Sequence, residues 1–68
     1  MQIHVNGQVR ETTSGTTVAD LLRELNITGE RVAVEVNLDI LERGQFGQRL
    51  LTEGDRVEII SFIGGGSL

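Results

Sequence analysis

The sequence predicts an α+β fold, with one short helix covering one face of a mixed sheet of four to five strands. Three observations lead there. A single stretch carries helical periodicity: Val18, Leu21, Leu22 and Leu25 fall at i, i+3, i+4 and i+7. Period-two alternation recurs on both sides of it, most clearly at Val32, Val34 and Val36. The chain has 68 residues, one domain near the lower size limit for unaided folding, so stripe and strands must share one core.

The elements follow in order. Gln2 to Val5 alternates polar and apolar as a half-buried strand. Asn6-Gly7 is a strong hairpin signal, because a type I′ turn needs positive φ at both central positions. Gln8 to Thr12 returns as the second strand, and Ser14-Gly15 breaks it. Thr17 opens the helix as its cap, with Asp20 placed to favour the positive end. Asn26 to Gly29 closes it after about two and a half turns, too short to be stable alone. Arg31 to Asn37 is the clearest strand. Leu38 to Leu41 reads as a turn and a short strand. Glu42 to Gln48 reads as a loop or single helical turn anchored by Phe46, and Gln48 to Leu51 as a brief extended piece. Glu53-Gly54-Asp55 is a turn, and Arg56 to Phe62 is the last strand.

The helix stripe is expected to pack on Ile3, Val5, Val32, Val34, Val36, Val57 and Ile59. The first and last strands are expected at the centre of the sheet, flanked by the hairpin and the third strand. This is the ubiquitin-like β-grasp arrangement, with a domain over residues 1–63 and a flexible glycine tail over 64–68.

Composition narrows the function. Ten acidic residues against six arginines give a net charge of −4, and the aromatics are two phenylalanines. Nucleic-acid binding needs a basic footprint and stacking platforms, so it is not expected. No apolar run is long enough to span a bilayer, and the N-terminus lacks signal-peptide order, so a cytoplasmic protein is expected. Cysteine and lysine are both absent. The chain has no thiol nucleophile and cannot be joined to itself through lysine isopeptide bonds.

The polar residues assemble no catalytic or metal site. His4 stands alone on the polar side of its strand. Thr12 to Thr17 read as turn and cap residues. Glu53 and Asp55 flank Gly54 as turn chemistry. No glycine-rich loop joins a strand to a helix, so no phosphate cradle is described. One surface does look functional. With Val57 and Ile59 facing the helix, Glu58, Ile60 and Phe62 face away, beside Ala33, Glu35 and His4. Ile60 and Phe62 then form an apolar patch, rimmed by acids, next to the tail. Such a patch reads as a docking site.

The tail is Gly64-Gly65-Gly66, followed by Ser67-Leu68. Glycine loses the most conformational freedom on folding, so this run adds nothing to a core. Such a run is either a frayed end, as termini are by default, or a thin reach that brings a terminal carboxylate into another protein's site.

Taken together, the chain resembles the ThiS family of sulfur carriers over nearly its whole length. The residues that carry the resemblance are Asn6-Gly7, Thr17-Val18-x-x-Leu21-Leu22, Val32 to Asn37, Ile40-x-x-Arg43-x-x-Phe46, Gly54-Asp55-x-Val57-Glu58-Ile59 and Phe62 to Gly66. The resemblance implies a carrier that is not itself an enzyme and binds no cofactor. It implies that an E1-like adenylyltransferase of the ThiF type uses ATP and magnesium to adenylate the terminal glycine. A sulfur donor relay then leaves a thiocarboxylate, and a thiazole synthase of the ThiG type takes the sulfur for thiamine. It places the sulfur on Gly66, with Gly65 as the alternative. Ser67-Leu68 departs from the family pattern. Either the two residues are foreign to the natural chain or a peptidase trims them. Carriage of sulfur for cysteine, methionine or molybdopterin synthesis, or a ubiquitin-like modifier, stand as the alternatives.

Overall fold

The computed structural model describes residues 1–62. The strands are β1 (Gln2–Val5), β2 (Gln8–Glu11), β3 (Val32–Val36), β4 (Asp39–Leu41) and β5 (Arg56–Ser61), and the helix is α1 (Val18–Glu24). The sheet order is β2-β1-β5-β3-β4, so the first and last strands are central, as the sequence implies. β1 and β5 run parallel; the other neighbours are antiparallel. One helix on one face of this mixed sheet is the ubiquitin-like β-grasp.

Asn6 and Gly7 both have positive φ, 50° and 83°, and make the expected hairpin turn. The Asn6 side chain also extends the sheet. Its Oδ1 accepts from Ile59 N–H at 2.7 Å and its Nδ2 donates to Ile59 O at 3.2 Å, where β1 has already turned away.

The helix start is fully satisfied. Asp20 N–H donates to Thr17 Oγ1, and Thr17 N–H donates to an Asp20 carboxylate oxygen, each at 3.1 Å. The next two donors find the long loop: Val18 N–H reaches Arg49 O at 3.0 Å, and Ala19 N–H reaches Phe46 O at 2.9 Å. At the other end Asn26, at φ 59°, closes a Schellman motif with Ile27 N–H bonded to Leu22 O at 2.9 Å. The helix is 7 residues long between its Thr17 and Leu25 caps, and it closes at Asn26, where the sequence places its end.

Ile3, Val18, Leu21, Leu22, Val32, Val34, Val36 and Val57 are buried together, with Phe46 and Leu51 completing the core. Val5, Leu25 and Ile59 pack against this core as expected, but at its margin, where they are only partly buried. They line an open hollow of about 330 Å³ between the helix end and the β1–β2 turn. Leu51, read from sequence as part of an extended piece, is a core residue, held by its N–H to Thr16 O at 2.9 Å. Gly29–Arg31 and Arg43–Gln45 form single 3-10 turns.

Candidate functional site

The face of the sheet away from the helix is built by register. Ala33 lies opposite Ile60, and Glu35 opposite Glu58, across the β3–β5 ladder. Directly opposed residues share a face. On the same ladder Val34 and Val36 face Ile59 and Val57 on the helix side, which puts the first set outside. The β3–β4 register adds Ile40 beside Glu35, and the hairpin register adds Val9 beside His4.

Ile60 and Phe62 are 55% and 53% exposed, so both are open to solvent on this outer face. Phe62 is fixed by its N–H donating to Arg31 O at 2.8 Å, which carries the ladder one step past β5. Glu58 is exposed; Ala33, Glu35 and His4 are half-buried. All the side chains proposed from sequence for this surface therefore do lie together. Two were missed: Ile40 and Val9, 73% and 59% exposed, extend the apolar character to both edges. The alternation of β4 could have signalled Ile40, since Leu41 is its inward neighbour.

At the entrance to β5, Asp55 is buried and hydrogen-bonded. Its carboxylate accepts from Asn37 Nδ2 at 2.9 Å, Thr52 N–H at 2.8 Å and Thr52 Oγ1 at 3.0 Å. Burial pushes its pKa up, but the Asn37 and Thr52 hydrogen bonds, with help from the Arg49 charge, outweigh that and hold it below the ordinary value. Glu53, on the other side of Gly54, accepts instead from Gln2 N–H at 2.9 Å. The two carboxylates thus hold the fold from opposite sides of a turn.

Chemistry finds little to work with among the described residues. No three His or acidic side chains converge as a metal site. The helix N-terminus, which can bind phosphate when its donors are free, has them occupied by Thr17, Phe46 and Arg49. The hollow beside the helix end holds Arg10, whose guanidinium pairs with Glu24 at 3.3 Å, and otherwise amides and aliphatic groups. Gly64, Gly65 and Gly66, the sequence's candidate reactive end, lie outside the described residues, as does the whole 64–68 tail. No helix among the described residues is long and apolar enough to cross a membrane.

A β-grasp domain whose outer sheet face carries exposed apolar side chains among acids places the described residues in the class of ubiquitin-like folds. The ThiS family model matches residues 3–66. The chain belongs to the ThiS family. It is 33% identical to the sulfur carrier protein ThiS of Escherichia coli over 66 residues, covering 97% of this chain and 100% of that one. A crystal structure of ThiS from Geobacter metallireducens superposes with a TM-score of 0.83 at 36% identity, covering 97% of this chain and 100% of that one. A protein of Magnetococcus marinus named thiazole synthase is 44% identical over 66 residues, 97% of this chain. This chain spans only 20% of that protein's length, and 21% of a thiazole synthase from Paramagnetospirillum magneticum that is 42% identical.

Proposed function

We propose that the chain is a sulfur carrier of thiamine biosynthesis, a protein cosubstrate and not an enzyme. An E1-like adenylyltransferase adenylates the carboxylate of Gly66 with ATP and magnesium, both of which belong to that enzyme. A carboxylate is a poor electrophile until adenylation turns it into an acyl adenylate, from which AMP is a good leaving group. Sulfur from a donor relay displaces AMP, and the resulting thiocarboxylate passes sulfur to a thiazole synthase. The outer sheet face, through Ile60, Phe62, Ala33, Glu35 and Glu58, docks these enzymes while the tail enters their sites.

The observation that carries this reading is the extent of the family match, which runs through Gly66 and stops before Ser67. Two relatives named thiazole synthase contain a segment similar to this chain, which favours thiazole formation over other sulfur acceptors. The test is ATP–pyrophosphate exchange with the host's activating enzyme on two forms of the chain. The form ending at Gly66 should exchange and the 68-residue form should be inert. Equal exchange by both would remove the terminus as the reactive site.

A further inference from the structure

Glu35 and Glu58 sit directly opposite one another on the outer face of β3 and β5. Like charges at opposed positions of neighbouring strands weaken a sheet, because their Cβ atoms lie only about 4.5–5.5 Å apart. No ion pair within the described residues offsets them. The ion pairs there join Met1 to Glu11, Arg10 to Glu24 and Arg23 to Asp20, and none reaches Glu35 or Glu58. Arg56, two residues before Glu58 and on the same face, makes no ion pair with either. The two acids are framed by apolar side chains: Ile40 pairs beside Glu35, and Ile60 pairs with Ala33 in the adjacent row. Ile40 is 73% and Ile60 55% exposed, so this frame projects into solvent around the charges.

The fold has no use for this arrangement, but a partner does. Two carboxylates on one row accept the planar fork of a guanidinium better than a point charge, and an apolar surround that a partner covers strengthens such bonds by excluding water. The geometry points to an arginine side chain of the protein partner, the thiazole synthase, seated between Glu35 and Glu58, with Ile40 and Ile60 covered around it. This rests on the reading that the outer face docks that enzyme, and adds the chemistry of its central contact.

The test is calorimetric titration of the full chain against the thiazole synthase of its own host. The variants are Glu35→Gln, Glu58→Gln, the double variant and Ile60→Ala, each also melted alone. Each single glutamine variant should weaken binding about thirtyfold or more, as loss of one partner of a buried charge-assisted contact does. The double variant should be little worse than either single one, because both acids hold one group. The free Glu58→Gln protein should melt at or above the wild-type temperature, since a repulsion is relieved. Wild-type affinity in both glutamine variants, with weakening by Ile60→Ala, overturns the arginine contact and leaves the docking face standing. Effects that multiply in the double variant overturn it too, as do melting temperatures that fall in step with affinity. Unaltered affinity in every variant, or no binding by the wild type, removes the docking reading with it. Wild-type chains that self-associate through this face, and part on Glu58→Gln, assign the face to a second copy instead.

Discussion

Asn37 donates its side-chain amide to the Asp55 carboxylate at 2.9 Å across 18 residues of sequence. Its Oδ1 accepts from Arg56 N–H at 3.0 Å, so one side chain ties the β3–β4 turn to the first residue of β5. Asn37 itself has φ 52°, a conformation that asparagine tolerates better than most residues. Asn37→Ala should lose about 1–3 kcal/mol of stability, because a buried carboxylate loses a donor. Urea denaturation measures this, and an unchanged midpoint would dismiss the link.

The same carboxylate sets an acid limit. Asp55 has its pKa lowered in the folded state, burial opposing and the Asn37 and Thr52 hydrogen bonds prevailing. A group with a depressed folded pKa binds protons more readily when unfolded. Its stabilisation is therefore complete above the unfolded value, about 3.9, and disappears as pH falls through the folded value. Melting temperature should drop over that acid window, and Asp55→Asn should flatten the drop. An equal acid loss in Asp55→Asn would transfer the effect to other acids.

Leu22 is 3% exposed at the centre of the helix stripe. Leu22→Ala should cost about 2–5 kcal/mol, a large share of a small domain's stability. A variant that melts like wild type would contradict the core as described.

Leu38 has φ 74° at the tip of the β3–β4 turn and is 88% exposed. A leucine there bears left-handed strain with no packing in return, about 1–2 kcal/mol. Leu38→Gly removes the strain but frees the unfolded chain by about 0.5–1 kcal/mol. The net expectation is a gain of up to about 1.5 kcal/mol, measured by denaturant titration. A loss of similar size would mean that Leu38 packs on the domain after all.

Much of this was readable from the chain because its signals are local. Asn6-Gly7 dictates its own turn, Thr17 and Asp20 cap the helix from three residues apart, and the valines of β3 declare their buried face by alternation. What escaped depends on partners distant in sequence. Asp55 looks like a turn acid until the fold brings the Asn37 amide to its carboxylate. Leu51 becomes core only because Thr16 holds its N–H. Val5, Leu25 and Ile59 pack on the core as their pattern implies, and only their partial exposure, where helix and hairpin diverge, was hidden. The outer patch was legible from the alternation of β5, whereas the opposition of Glu35 to Glu58 is a fact of register that neither strand contains.

The bonds from Val18 and Ala19 to Arg49 and Phe46 have a bearing on how the molecule comes into being. A seven-residue helix cannot hold its shape unaided, and here its opening donors wait for carbonyls that are made some thirty residues later. Until the segment beyond β4 is present, those opening donors have no carbonyl to meet. β5 then follows, placing Ile60 and Phe62 on the surface in the same event that locks the core.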